Sequence, residues 1–186
     1  MNVKCGRRIS VVGTSGSGKT TTAAQIAQRL NIPHVELDAL HWEPNWTEAP
    51  LDIFRERVAQ ALSGDAWAVD GNYGKTRDIV WGRADTVVWL DYALPVIMWQ
   101  LLCRTVRRSV TQEELWSGNR ETLGKALFSR ESILRWALQT YKRRRREYPV
   151  LLGKPENAHL ATIRLRSPRE TRQWLTSLTS SRFEED

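Results

Sequence analysis

One stretch limits the fold of this chain more than any other: Arg8-Ile9-Ser10-Val11-Val12-Gly13, continued by Thr14-Ser15-Gly16-Ser17-Gly18-Lys19-Thr20. The first half is a short β-branched run and reads as a buried strand. The second completes the pattern G-x-x-x-x-G-K-[ST], and beyond it Ala23, Ala24, Ile26, Ala27 and Leu30 recur at helical spacing. Strand, glycine turn and helix in that order make an anion nest, because glycines let backbone N–H groups turn inward without Cβ obstruction. Lys19 then falls to the β- and γ-phosphates of a triphosphate, and the Thr20 hydroxyl to Mg²⁺. The segment predicts ATP as ligand, held by Gly13, Ser15, Gly16, Ser17, Gly18, Lys19, Thr20 and Thr21.

The rest of the chain repeats the alternation. Strands are expected over 34–38, 66–70, 86–91 and 160–165, and helices over 51–62, 95–108 and 168–178. Residues 40–50, with two prolines and two tryptophans, read as a loop. The region 113–148 reads as largely helical, broken near Ser117-Gly118-Asn119. Near-continuous apolar strands alternating with helices imply a parallel sheet covered on both faces. The expected fold is therefore α/β, a three-layer sandwich around a five-stranded parallel sheet with a helical lid. A length of 186 residues, 41% of them hydrophobic, suits one domain with a substantial core. That domain is expected over 1–180, with its core in 7–100 and 158–178, a basic lid over about 101–150 and a flexible tail at 181–186. Two cysteines, Cys5 and Cys103, suit a reducing compartment, and no charged-then-apolar leader precedes the first strand. The longest apolar run, 93–103, is too short to span a bilayer. The expectation is a soluble, cytoplasmic protein.

Ligands of such sheets gather at the carboxyl ends of the strands. Asp38 ends "HVELD", Asp70 ends "AWAVD" and Asp91 ends "TVVWLD". Magnesium takes hard oxygen ligands, one or two of them carboxylates, so Thr20, Asp70 and Asp91 are the expected metal residues. Alternation along a strand puts Asp38 on one face with Glu36 and His34. Asp38 is also placed to act as general base on an acceptor hydroxyl. Each of these acids has a simpler use as the cap of a following turn. His41, Trp42 and Trp46 follow Asp38 closely and suit either an acceptor wall or a loop anchor. His34 and His159 read as structural.

The net charge of +7 has a location. From 101 to 150 there are twelve Lys or Arg against five Glu, so this segment carries the whole surplus. Such a field suits a polyanion, either a nucleic-acid backbone or a phosphorylated small ligand. Arg104, Arg107 and Arg108 lie at i, i+3 and i+4 and share a helical face. In the run Arg143-Arg144-Arg145-Arg146, side chains point around almost the whole helix. At least one of them must face protein or cleft, and Arg143 and Arg146, spaced to share a face, are the first candidates.

The phosphate loop, "VDGNY" at 69–73 and the arginines after strand four resemble the adenylate-kinase and shikimate-kinase-like group of P-loop kinases. "LDALHWEPNW", "VDGNY", "ELWSGNRE" and "KRRRREYP" are similar to the bacterial family labelled DNA topology modulation proteins. The resemblance implies that Asp70 sits at the nucleotide end of strand three and Glu36 and Asp38 near acceptor and metal. It implies that Arg104 and Arg107 close over the transferring phosphate, and that Arg166-Ser167-Pro168 contacts adenine; Arg120, on the break between helices, is placed to reach inward beside them. The adenylate-kinase continuation "DGFPR" is absent; Asn72-Tyr73-Gly74-Lys75 stands in its place, which removes the basis for AMP specificity. Lys19, Asp38, Asp70, Arg104, Arg107 and Arg120 are thus the expected catalytic residues. Asp38, His41, Trp42, Asn72, Tyr73, Arg143 and Arg146 are the expected acceptor contacts. The function expected is ATP- and Mg²⁺-dependent phosphate transfer to a small, phosphorylated or nucleotide-like acceptor. A nucleic-acid-binding NTPase or polynucleotide end kinase is the second reading, and oligomeric state is left open.

Overall fold

The structure, a computed structural model, describes residues 5–111, 114–119 and 133–180. Its strands and helices follow one another as β1 (Arg8–Gly13), α1 (Lys19–Leu30), β2 (His34–Glu36), α2 (Leu37–His41), β3 (Trp42–Glu43) and β4 (Thr47–Glu48). Then come α3 (Leu51–Ala61), β5 (Trp67–Asp70), α4 (Arg77–Arg83), β6 (Thr86–Leu90), α5 (Leu94–Thr111), α6 (Ile133–Leu152), β7 (Ala161–Leu165) and α7 (Pro168–Ser180). Five strands form one sheet in the order β2-β5-β1-β6-β7, every neighbouring pair parallel. The glycine-loop strand β1 lies at its centre, and the chain's winding reverses there. A crevice opens at that switch point beyond the carboxyl ends of the strands.

Strand alternation divides the core into two layers. Ile9, Val11, Ala68, Val88 and Leu90 pack beneath Ala23 and Ile26 of α1 and Leu175 of α7. Val12, Trp67, Val69, Val87 and Trp89 face the other way, against Phe54 and Val58 of α3, Trp81 of α4 and Tyr148 of α6. Both faces of the sheet are thus covered, which is why its inner strands β5, β1 and β6 are buried almost without a break.

Three departures from the sequence reading matter for function. The strand expected over 34–38 stops at Glu36, and Leu37–His41 winds into α2, so Asp38 stands in a first helical turn. The Leu37 side chain sits where a Cβ on Gly71 would fall, 2.7 Å away, so the turn leaving β5 is pressed against α2. The expected loop over 40–50 contains a short antiparallel pair, β3 with β4, closed by a turn in which Asn45 and Trp46 have positive φ. The second long helix also runs past Tyr148 to Leu152, with Pro149 inside it. No helix among the described residues is long and apolar enough to cross a membrane.

Candidate functional site

The glycine turn is a pre-formed cradle. Gly16 and Gly18 both hold φ near +85°, which side chains rarely adopt. A Cβ on Gly16 would come within 2.9 Å of Leu101 Cβ and 3.0 Å of the Ile97 carbonyl, so α5 packs directly on the loop. Gly18 caps α1 through its left-handed backbone, with no side chain filling the N-terminus of the helix. Ser17 Oγ is buried inside the turn with no hydrogen-bond partner. An open helix N-terminus beside an unsatisfied hydroxyl is a fitting seat for phosphate oxygens.

Lys19 reaches back to the Thr14 carbonyl at 3.5 Å. Burial pulls its ammonium down to about 8, and Arg144 and Arg104 push the same way while Asp70 and Asp38 oppose them. A cation held in such crowding gains from an incoming anion. Thr20, next in sequence, donates its hydroxyl to Asp70 Oδ2 at 2.6 Å. The other oxygen, Asp70 Oδ1, meets His34 Nε2 at 2.9 Å, and this contact raises the imidazole's pKa. The Asp70 carboxylate is 4% exposed. Thr20 and Asp70 supply hard oxygens side by side, a donor set that suits an ion keeping its other places for phosphate and water. Among the described residues no three His, Cys, Asp or Glu side chains cluster as a metal cage.

Across the same cleft lies an aromatic wall. Tyr73 donates its hydroxyl to Asp38 Oδ1 at 2.5 Å. The His41 ring packs against Tyr73, Phe54 and Trp42 at 4.6–4.8 Å, and Trp42 meets Trp46 edge-on at 5.6 Å. Burial lowers the His41 pKa, which favours the neutral ring. The segment 114–119 is stitched to this wall. Trp116 Nε1 donates to Glu36 Oε2 at 3.0 Å and Ser117 Oγ to the Trp42 carbonyl at 2.7 Å. Asn119 accepts from Trp46 N–H at 2.9 Å and donates to the Glu43 carbonyl at 3.0 Å. Sequence reasoning treated "SGN" only as a helix break; its polar side chains in fact anchor the loop opposite.

Of the basic segment, Arg104, Arg107, Arg108, Arg143 and Arg144 all line this cleft, whose volume is about 1910 Å³. The buried arginine of the run is Arg144, not Arg143 or Arg146. Arg143 reaches Glu147 one turn on, at 3.6 Å, and Arg146 is exposed. The stripe Thr140, Arg144, Tyr148, spaced by four and buried at each position, fixes the face of α6 that meets the body. Arg144 donates to the Gly13 carbonyl at 3.3 Å, and burial lowers its pKa.

Placement differs from expectation at Asp91 and Arg166 and adds a second task at Asn72. Asp91 is not open to a metal: Arg145 Nε lies 2.8 Å from one oxygen and Arg164 Nη2 2.5 Å from the other, with the carboxylate 1% exposed. Asn72 spends its amide on the phosphate loop, accepting from Gly13 N–H at 3.2 Å and donating to its carbonyl at 2.5 Å. Tyr148 also donates to Asn72 Oδ1 at 2.8 Å, so Asn72 braces the loop as well as lining the cleft. The Arg166 N–H is taken by Glu170 Oε2 at 2.7 Å, whereas Pro168 does border the cleft. Arg120 lies outside the described residues. Gly13 is buried and does not border the cleft, whereas Ser15 through Thr21 line it.

A parallel sheet with the glycine-loop strand at its centre, and Lys19 and Thr20 opening the next helix, defines a P-loop nucleotide-binding fold. A family model described as "ATPase family associated with various cellular activities (AAA)" matches residues 9–71, from β1 through the end of β5. No curated protein matches the chain. Solved structures share the whole architecture. A gluconokinase from Sinorhizobium meliloti 1021 is similar over 97% of this chain and 98% of its own, with 19% identity and a TM-score of 0.50. A shikimate kinase from Acinetobacter baumannii in complex with shikimate is similar over 97% and 95%, with 16% identity and a TM-score of 0.53. A shikimate kinase from Bacteroides thetaiotaomicron is similar over 95% and 98%, with 14% identity and a TM-score of 0.52. At such identities the likeness is one of fold.

Proposed function

We propose that this protein is an ATP-dependent phosphotransferase acting on a small acceptor, in line with its resemblance to the bacterial DNA topology modulation family and to sugar- and shikimate-type kinases. The observation that carries the proposal is one cleft with two chemically distinct ends. At one end are the glycine cradle, Lys19 and the Thr20–Asp70 pair. At the other are Asp38, hydrogen-bonded by Tyr73, and the aromatic wall.

Each group has a task in such a reaction. The loop N–H groups and Lys19 hold the β- and γ-phosphates, while Thr20 and Asp70 hold Mg²⁺, which when bound neutralises developing phosphate charge. Arg104, Arg107 and Arg144 surround the loop's open side with positive charge, the kind of stabilisation phosphoryl transfer asks of a protein. Asp38 accepts the proton of an acceptor hydroxyl, and Tyr73 fixes which carboxylate oxygen is left to do so. Pro168, Thr171 and Leu175 border the cleft beside the loop and suit the base of the nucleotide. The segment 101–150 acts as the lid, with Arg120 among its cations. A small acceptor is favoured over a nucleic acid because five arginines line the same cleft as the phosphate loop.

The test is ADP release from ATP and Mg²⁺ with a panel of sugars, nucleosides, nucleotides and single-stranded DNA, with Lys19→Ala alongside. Release stimulated by a small compound and abolished in the variant supports transfer. Release that no compound stimulates makes the protein an ATPase, and stimulation by DNA alone moves it to the end-kinase reading.

A further inference from the structure

We infer that the acceptor end of the cleft is built for an uncharged or amine-bearing hydroxyl compound with a flat face, and works against phosphate esters and carboxylates. The inference rests on the phosphotransferase reading and narrows its acceptor. A phosphorylated acceptor was suggested by the basic segment, but Arg104 and Arg144 exert their charge on Lys19, at the phosphate-loop end.

Around Asp38 the balance is reversed. Glu36, Asp38 and Glu48 line the cleft here; Asp38 and Glu48 both act on the His41 and Tyr73 rings, and among the described residues Lys75 is the cation that acts on His41. The nearby Arg57 is spent on Glu43 at 2.7 Å and on the Leu40 carbonyl at 3.2 Å. An anion entering here meets three carboxylates at close range, whereas a neutral group meets hydrogen-bond acceptors and an ammonium meets partners. Trp42, Trp46 and Trp116 border the same space and offer π-faces to a ring or to a cation. Their positions are set before any ligand arrives, because the Trp116 side chain is tied to Glu36, and the Trp42 and Trp46 backbones to the side chains of Ser117 and Asn119.

A second observation points to a ligand independently of the acids. His41 is 6% exposed and borders the cleft, yet its Nδ1 has no hydrogen-bond partner. Its Nε2 stands 3.8 Å from Glu48, too far for a hydrogen bond. A buried imidazole nitrogen left unsatisfied is costly, and a hydroxyl or amine of the acceptor satisfies it. The specificity-determining residues are thus His41, Glu36 and Glu48, with Asp38 serving the reacting hydroxyl.

Matched probes that differ in charge test this. The full chain with ATP and Mg²⁺ is given adenosine against AMP, and glucose and glucosamine against gluconate. The neutral or amine member is expected to be preferred at least tenfold in kcat/KM, and the Glu36→Gln, Glu48→Gln double variant to bring the ratio toward one. A preference for the anionic member overturns the inference and leaves phosphotransfer standing. A readout that needs no acceptor is the emission lost on Trp42→Phe, quenched by caesium and by iodide. Each is normalised to its quenching of N-acetyltryptophanamide. Caesium is expected to quench that component at least threefold more steeply; equal or stronger quenching by iodide sinks the inference. If ADP release proves independent of every acceptor, the kinase reading fails, and the quenching result alone decides the charge of this end.

Discussion

At the residue scale, Lys19 sits in a frustrated place. Its ammonium is depressed to about 8 against an ordinary value near 10.5, chiefly by burial and then by Arg144. Since unfolding restores the higher pKa, the unfolded chain binds more protons between about pH 8 and 10.5. This group's contribution to stability therefore rises with pH across that window and is unfavourable below it. A triphosphate reverses the crowding and raises the Lys19 pKa. Binding ATP at pH 8.5 is thus expected to take up a large fraction of one proton, and affinity to fall as pH climbs through 8. Calorimetric titration in two buffers of different ionisation enthalpy measures the uptake, which must vanish in Lys19→Met. That variant should also bind ATP about 10–100-fold more weakly, the worth of a charge-assisted contact. Asp70 and Asp91 make a second, paired prediction. Asp91→Asn removes the anion between Arg145 and Arg164 and should cost about 2 kcal/mol in urea unfolding, with Mg²⁺-dependent ATP binding unchanged. Asp70→Asn should do the opposite, retaining most stability and losing the Mg²⁺ dependence. If Asp91→Asn abolishes that dependence, the structural assignment of Asp91 is wrong.

At the element scale, Asn119 joins two pieces of chain that are far apart in sequence. It is 5% exposed and bonds Trp46 N–H, the Glu43 carbonyl and the Trp116 carbonyl through its side chain. Asn119→Ala leaves those backbone groups without partners and should cost about 2 kcal/mol. The Trp42–Trp46 pair would lose its fixed edge-on geometry, so the near-UV circular dichroism of the aromatic wall should weaken. An unchanged near-UV spectrum would show that 114–119 does not hold the wall. This coupling was invisible in the sequence, because nothing local to "SGN" names a partner some 75 residues away. What was legible there depended on strong local rules. The glycine turn, the strand before it and the helix after it each carry their own signal, and β1, β5, β6 and β7 read as buried runs for the same reason. The end of β2 was misread because "VELD" alternates like a strand, while contact between Leu37 and the Gly71 turn favours winding into α2. Helix α4 has no marked periodicity and is held from outside, by the Arg55–Asp78 pair at 2.6 Å and by burial of Val80 and Trp81. In the arginine run, geometry required that one side chain turn inward but not which. Tyr148, one turn after Arg144, was the available signal, since a buried tyrosine marks the face its i−4 neighbour shares.

At the scale of the whole molecule, the phosphate loop is braced from parts of the chain distant in sequence. Asn72 holds Gly13 from the end of β5, and Arg144 and Tyr148 reach it and its brace from α6. Ile97 and Leu101 press on Gly16 from α5. The loop's geometry is therefore a property of the assembled fold, and a ligand in the loop should stabilise the fold as a unit. By mass action, ATP with Mg²⁺ at about 100 times its dissociation constant adds about 2.7 kcal/mol. For a domain of this size, each kcal/mol moves Tm by about 2–4 °C, so the shift should be about 5–10 °C. Thermal scans with and without Mg²⁺-ATP read it directly. Lys19→Met should lose most of the shift because the anchoring charge is gone. Tyr148→Phe should lower the unliganded Tm by a few degrees, having lost one buried hydrogen bond, yet retain nearly the full ligand-induced shift. A Tyr148→Phe variant that unfolds at the wild-type temperature would mean that α6 rests against the phosphate loop without helping to hold it.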